Sequence, residues 1–144
     1  MNDIFQLKRF LDAQEDVYPN VVRELKQVRK ESHWMWYVFP QIKGLGKSHI
    51  SQKYALGSLD EATAYEQHPI LGNRLYECTE IVVNTEGHTV EQIFGYPDYL
   101  KFHSSMTLFC QVENYNPLFD IALKKYFDNK KDQLTLDTLS GFST

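Results

Sequence analysis

Apolar side chains recur at helical spacing along most of the chain, and this periodicity restricts the fold more than any other feature. Residues 5–14 and 21–28 each place apolar side chains three or four positions apart. Ser or Thr three positions ahead of Glu or Gln, at 58–61 and 89–92, is typical of a helix-capping box. Alternation with period two is almost absent, and the best strand candidate is the short run WMWYVF. The pattern predicts an all-α fold, a single compact orthogonal bundle of about seven short helices.

Length, charge and cysteine content narrow the class of protein. The 144 residues suit one domain, 1–144, because a chain of about 150 residues can bury roughly 70% of its unfolded surface. The formal net charge of −4 gives no overall basic field that would attract nucleic acid or an acidic membrane. The N-terminus lacks the apolar core of a signal peptide, and no apolar run approaches the roughly 20 residues of a membrane helix. Cys78 and Cys110 are the only cysteines, so we expect a cytoplasmic protein with free thiols and no membrane partner.

The segment RKESHWMWYVFPQIKGLGKS, which begins at Arg29, concentrates residue types that bind ligands. Its first two residues, Arg29 and Lys30, can supply positive charge. Trp34 and Trp36 follow, and either indole can supply a flat face for stacking. His33 lies between the cations and the rings, where it is either a structural residue or a ligand contact.

The tail of this segment, GLGKS, resembles the end of a phosphate-binding loop, in which backbone amides and a lysine hold phosphates. The first glycine of that motif would fall at Gln41, so the pattern is broken. We interpret the tail as a loop followed by a helix that the Ser48 hydroxyl caps, and not as a nucleoside triphosphatase motif.

A second group of polar side chains lies in PDYLKFHSSMTLFC, residues 97–110. On a helix, Lys101, Ser104 and Ser105 gather on one side, opposite an apolar face. One interpretation is a solvated stripe of the kind that surface helices carry. The other is an anion cradle, in which the lysine acts as a point charge and the two hydroxyls donate hydrogen bonds.

The sequence contains no complete catalytic or metal-binding motif. None of the five histidines has the spacing that places two metal ligands on one helix face, so no metal or other cofactor is predicted. Asp98, His103 and Ser104 have the residue types of a hydrolase triad, but neighbours on a helix point to different faces. Whether the protein is an enzyme therefore stays open.

Four blocks, RFLDAQ, the segment from Arg29, YALGSLDEATAYEQHPILGNRLYECT and IFGYPDYLKFHSSMTLF, resemble the successive blocks of domain-of-unknown-function family 1810. The resemblance spans roughly residues 5–128. It implies a small, mainly helical, soluble domain, common in bacteria, and no particular activity. The label calpastatin, which automated annotation sometimes gives the family, implies nothing here, because calpastatin is a long disordered inhibitor and this composition is that of a compact domain. Val28 stands where the family pattern has glycine before RK, a departure that argues against a tight turn there.

The leading hypothesis is a domain that binds, or also processes, a small anionic or nucleotide-like ligand, with an ADP-ribose derivative among the candidates. It requires the segment 29–41 to lie over the helix 97–110, so that cations and an indole face converge. The predicted ligand-binding residues are Arg29, Lys30, His33, Trp34, Trp36, Gln41, Lys101, Ser104 and Ser105.

Two alternatives remain. The first is a protein-interaction module with an aromatic docking surface, which would expose a large apolar patch. The second is nucleic-acid binding through RELKQVRK, although the acidic total and an ordinary charged helix face argue against it. The sequence indicates neither the reaction nor the oligomeric state.

Overall fold

The structure, a computed structural model, describes residues 3–142. This part of the chain contains ten α-helices and no β-strand. The helices are α1 (Lys8–Gln14), α2 (Tyr18–Lys26), α3 (Met35–Val38), α4 (His49–Tyr54), α5 (Leu59–Gln67), α6 (Leu71–Asn84), α7 (Val90–Phe94), α8 (Asp98–Phe109), α9 (Pro117–Phe127) and α10 (Gln133–Phe142). The all-α prediction is therefore confirmed. The expected count of about seven helices was too low, because α3, α4 and α7 are too short to show a clear apolar period.

The run WMWYVF, the best strand candidate, forms α3 instead of a strand. The backbone N–H groups of Val38 and Phe39 donate to the carbonyls of Trp34 and Met35, as in a helical turn. Pro40 follows and cannot continue the helix. Strand propensity reflects packing on a pleated sheet, and the described residues form no sheet to receive this run.

A strand-like pairing joins the loop after α3 to the loop after α4. Ile42 and Leu56 form an isolated bridge, and both side chains are buried. The Lys43 N–H donates to the Leu56 carbonyl at 2.8 Å, and the Leu56 N–H donates to the Gln41 carbonyl at 2.9 Å. These bonds hold the loop 41–46 in place.

The two predicted capping boxes differ in the structure. Thr89 and Gln92 form the complete box at the start of α7, with each side chain bonded to the other residue's backbone N–H. The Ser58 hydroxyl accepts from the Glu61 N–H at the start of α5, as predicted. The Glu61 carboxylate, however, accepts from the Gly57 N–H instead of the Ser58 N–H, so this box is only half formed.

Helix α8 lies at the centre of the molecule and packs against α3, α5, α7, α9 and α10. Its side chains Phe102, Met106, Leu108 and Phe109 are buried, and the Phe102 ring lies edge-to-face against Phe39 with centroids 5.0 Å apart. Phe94 of α7 stacks on Phe102 at 4.7 Å. The expected contact between WMWYVF and the helix 97–110 is confirmed.

Candidate functional site

A concave pocket lies between α8, the loop 41–46 and the start of α10. Its volume is about 330 Å³, and we call it the α8 pocket. The residues that line it are Gln41, Leu45, Gly46, Ser51, Pro97, Leu100, Lys101, His103, Ser104, Asp132 and Leu134. The pocket exists where the loop fixed by the Ile42 bridge faces the polar side of α8.

Lys101 supplies the positive charge of the α8 pocket. Its ammonium group lies 4.5 Å from the centroid of the Trp36 ring, a distance that allows a cation–π interaction. Asp98, one turn earlier on α8, is 3.4 Å from the ammonium. The Lys101 side chain keeps 22% of its surface exposed, so the charge is oriented and still reachable.

Lys30 reaches the same carboxylate from the other side. Its ammonium lies 2.7 Å from Asp98 and 5.0 Å from the Trp34 ring centroid, and it also donates to the Ser32 carbonyl. Only 4% of this side chain is exposed. The charge of Lys30 is therefore satisfied inside the protein.

A tight turn after α2 directs Lys30 towards α8. Val28 adopts the left-handed conformation, with φ of 57°, and its N–H donates to the Leu25 carbonyl at 3.0 Å. The Arg29 N–H donates to the Glu24 carbonyl at 3.0 Å. This bond pair is a Schellman motif, which glycine usually completes. Valine at 28 had argued against a tight turn here, but the turn forms with a strained valine.

Glu24 is the residue that organises the segment after this turn. Its buried carboxylate accepts from the Glu31 N–H at 2.8 Å, the Ser32 N–H at 2.9 Å, the Ser32 hydroxyl at 2.6 Å and the Trp34 indole N–H at 2.9 Å. Burial raises the pKa of Glu24, but the bonds from Ser32, Glu31 and Trp34 outweigh it and lower the pKa to about 2. Sequence reasoning missed Glu24, because an acid in RELKQVRK is typical of an exposed charged face.

The Ser104 hydroxyl points towards Asp132 and is already hydrogen-bonded. It lies 2.8 Å from the Asp132 carboxylate, and the Thr135 hydroxyl donates to the same oxygen at 2.6 Å. The Asp132 N–H donates to the Thr107 hydroxyl at 2.9 Å. This network fixes the start of α10 on α8, so Ser104 shapes the wall of the α8 pocket.

His103 has a structural setting. Its Nε2 lies 2.8 Å from the Lys130 carbonyl, and its ring stacks on Phe127 with centroids 4.0 Å apart. Because a carbonyl oxygen only accepts, Nε2 carries the hydrogen. Ser104 bonds to Asp132, and the described residues contain no hydrogen bond between a serine hydroxyl and a histidine ring. The geometry of a serine hydrolase is therefore not present in residues 3–142.

The structure brings some of the predicted ligand-binding residues together and separates others. Gln41, Lys101 and Ser104 line the α8 pocket, Trp36 lies under Lys101, and Lys30 contacts Asp98. The remaining four lie elsewhere: Arg29 and His33 are exposed outside the lining, and Trp34 and Ser105 are buried in the core.

The rim of the α8 pocket is apolar, a feature that the sequence did not reveal. Leu134 is 59% exposed, and Leu100 is also exposed on the lining. Tyr96 lies beside the lining residue Pro97 and is one of the most exposed large side chains of the described chain. Exposed apolar side chains grouped around one opening are typical of a contact site.

A small inner chamber adjoins the α8 pocket. Its volume is about 10 Å³, and its walls are Trp36, Gln41, Ile42, Gly46, Ser51, Tyr54 and Ala55. The indole Nε1 of Trp36 is buried and has no hydrogen-bond partner within the described residues. The two cavities share Gln41, Gly46 and Ser51.

Metal sites, reactive thiols and membrane-spanning helices are other features that would indicate a function. No group of three His, Cys, Asp or Glu side chains in residues 3–142 is placed to hold a metal ion. Cys78 and Cys110 are both buried and unpaired, and burial raises the pKa of each thiol to about 12. No helix in the same range is long and apolar enough to cross a membrane.

Together these features define a small all-α protein whose central helix borders a pocket with both polar and apolar walls. The family model described as "Protein of unknown function (DUF1810)" matches residues 4–139, and the chain belongs to this family. The conserved hypothetical protein Rv1873 from Mycobacterium tuberculosis, whose crystal structure was solved at 1.38 Å, has 49% sequence identity and a TM-score of 0.94. The match covers 96% of this chain and 99% of that one. No curated protein matches the chain.

Proposed function

We propose that the α8 pocket binds a small organic anion whose charged group contacts Lys101. The observation that carries the proposal is the geometry of Lys101: a partly exposed ammonium, oriented over Trp36, on the wall of a cavity of about 330 Å³. Ligand pockets typically span about 300–1,000 Å³ and combine apolar walls with a few convergent polar groups. The α8 pocket has both features.

The charge balance of the site favours a ligand with one negative charge. Lys30 and Lys101 share the single carboxylate of Asp98, which leaves one positive charge between them. The second carboxylate, Asp132, accepts from the hydroxyls of Ser104 and Thr135 and adds a negative charge to the pocket, which favours a ligand of low charge whose anionic group lies at Lys101. A carboxylate, a phosphodiester or a singly charged phosphate monoester fits this balance, whereas a triphosphate would meet excess repulsion.

The volume and the apolar rim restrict the rest of the ligand. A cavity at the low end of the usual range accommodates a molecule of about nucleoside size. Leu100 and Leu134 offer apolar contact for a ring at the opening. An ADP-ribose derivative would place one of its halves in the pocket and the other outside, across Tyr96.

The proposal is tested with two matched variants. Lys101→Met keeps the aliphatic stem and removes the charge, and Lys124→Met makes the same change on α9, where the lysine pairs with Asp120 in solvent. We expect one member of a panel of nucleoside monophosphates, ADP-ribose and sugar phosphates to raise the melting temperature. Lys101→Met should weaken its binding by about 1.5–3 kcal/mol, the range for a hydrogen bond to a charged group. Lys124→Met should leave it unchanged, and equal loss in both variants would refute the proposal.

The second candidate is a protein-interaction module, which the exposed rim residues Leu100 and Leu134 favour. It predicts that no panel compound shifts the melting temperature. It also predicts that Leu134→Ser abolishes partner binding while Lys101→Met leaves that binding intact, the reverse of the ligand hypothesis.

A further inference from the structure

We propose that the inner chamber recognises an uncharged amide-like edge of the ligand, with Trp36 as a hydrogen-bond donor and Gln41 as both donor and acceptor. This inference rests on the proposed function and identifies the ligand class more closely. The ligand would be a small monoanion that also carries a primary amide or the amide edge of a nucleobase.

The buried Trp36 Nε1 is the observation that requires an explanation. Its N–H has no partner within the described residues, although buried polar groups in folded proteins are almost always hydrogen-bonded. The other tryptophan offers the contrast, because the buried Trp34 Nε1 donates to Glu24 at 2.9 Å. Because the Trp36 side chain lines the chamber, a ligand acceptor bound there would satisfy this unpaired donor.

Gln41 supplies the complementary groups. It lines both the chamber and the α8 pocket, and no hydrogen bond to its side-chain amide is found within residues 3–142. Its position is fixed from the backbone, since its carbonyl accepts from the Leu56 N–H at 2.9 Å. An amide has two donors and one acceptor oxygen, so it pairs with another amide edge.

The chamber has the size that a single ligand atom needs. Its volume of about 10 Å³ is close to the space that one water-sized group occupies. A carbonyl oxygen would fit there and accept from the Trp36 N–H, while the rest of the ligand fills the larger α8 pocket. The chamber is too small for a charged phosphate with its three terminal oxygens, which places the anionic group at Lys101.

Gly46 keeps the wall between the two cavities thin. A Cβ atom at this position would lie 2.5 Å from the Ser51 Cβ and 2.7 Å from its hydroxyl oxygen. Gly46 and Ser51 line both cavities. The second glycine of GLGKS is thus required by the close approach of the loop to α4, a role unrelated to phosphate binding.

The inference is tested by binding measurements with four probes at about pH 5.5, below the second phosphate pKa of about 6, so that each phosphate carries mainly one negative charge. Binding of inorganic phosphate measures the contact with Lys101 alone. The monophosphates of adenosine, uridine and nicotinamide riboside each add a ring with a different set of hydrogen-bonding groups. We expect at least one nucleotide to bind more tightly than phosphate and to shift the Trp36 indole N–H signal in a ¹⁵N-labelled sample. The Trp34 indole signal, held by Glu24, should move less. Trp36→Phe identifies the two signals, because it removes one of them.

Three variants assign the effect to the chamber. Trp36→Phe keeps a ring under Lys101 and removes the N–H, and Gln41→Met keeps the length of the side chain and removes the amide. Each should weaken nucleotide binding about 3- to 10-fold more than it weakens phosphate binding, as expected for the loss of one neutral hydrogen bond to the nucleotide. Gln67→Met on α5, outside both linings, is the matched control and should change neither affinity.

The two proposals fail in different ways. If phosphate binds through Lys101 but no nucleotide binds more tightly, or if Trp36→Phe and Gln41→Met leave nucleotide binding intact, the chamber inference is wrong and the proposed function stands. If none of the four probes binds, both are overturned.

Discussion

Lys30 and Lys101 each place an ammonium group over an indole ring and each approach Asp98, but they use their charge differently. Lys30 is 2.7 Å from the carboxylate, also bonds to the Ser32 carbonyl, and is 4% exposed. Lys101 is 3.4 Å from it, is 22% exposed, and lines a pocket. The comparison shows that the protein uses the charge of Lys30 internally and leaves that of Lys101 partly exposed, which is why the proposed function rests on Lys101.

The same contrast holds for the regions that carry the two lysines. In residues 29–34 the backbone and side chains converge on Glu24, so the segment that looks most like a ligand site is mainly a structural connection. On the polar side of α8, Ser104 is bonded to Asp132, but Lys101 faces an open cavity. The second region differs from the first because Lys101 still has capacity to bind a ligand. The number of polar residues in the sequence does not separate the two regions.

The largest expected loss of stability follows from replacing Glu24, on which the donors of residues 29–34 converge. Glu24→Ala leaves three N–H donors and one hydroxyl without their acceptor. We expect the free energy of unfolding to fall by about 3–5 kcal/mol, because each buried unpaired donor costs about 1–3 kcal/mol. Urea denaturation gives the value. Glu31→Ala is the control: this exposed acid lies in the same segment and should cost under about 0.5 kcal/mol. A loss below about 1 kcal/mol in Glu24→Ala would mean that the segment is held by other contacts.

The pH dependence of stability provides the next test. The folded-state pKa of Glu24, about 2, lies below its unfolded value of 4.5. The ionised carboxylate therefore contributes its full stabilisation above pH 4.5, and this contribution is lost as the pH falls towards 2. Between pH 6 and pH 3 the parent protein should lose about 2 kcal/mol more than Glu24→Gln, which does not titrate. Parallel losses in the two proteins would show that other carboxyl groups cause the acid instability.

The third test makes the same substitution, lysine to methionine, at Lys30 and at Lys101 and compares the two variants. Lys30→Met removes the closer of the two lysine partners of the partly buried Asp98 carboxylate and should lower the free energy of unfolding by about 1–3 kcal/mol. Lys101→Met should change it by less than about 0.5 kcal/mol, because Lys30 still pairs with Asp98 and the methionine stem can cover Trp36. Thermal and urea unfolding of both variants measure the difference. If the two variants are equally stable, the distinction between a structural and an available lysine fails.

The sequence predicts the structural features that depend on residues close together in the chain, and it fails for those that depend on distant residues. Helices and caps are local, so the all-α class, the Thr89 box and the Ser48 cap of α4 followed from spacing alone. The packing of the segment from Arg29 on α8 was also anticipated. Glu24 was missed because it acts seven to ten positions along the chain, through a turn that no helical period encodes. The α8 pocket requires a loop, a helix and the start of α10 to meet, and such long-range contacts leave no pattern in the sequence.

The smallest expected effect concerns the turn that separates the two regions. Val28 has φ of 57°, which is unfavourable for a β-branched residue and ordinary for glycine. Val28→Gly should relieve this strain, but it also removes a side chain that packs against the core and adds entropy to the unfolded chain. We therefore expect a net stabilisation of only about 0.5–1 kcal/mol, measured by urea unfolding. Val22→Gly, inside α2, should instead destabilise by about 1 kcal/mol or more, because glycine is unfavourable within a helix. If both glycines destabilise equally, the left-handed turn carries no strain, and Lys30 reaches Asp98 without a backbone cost.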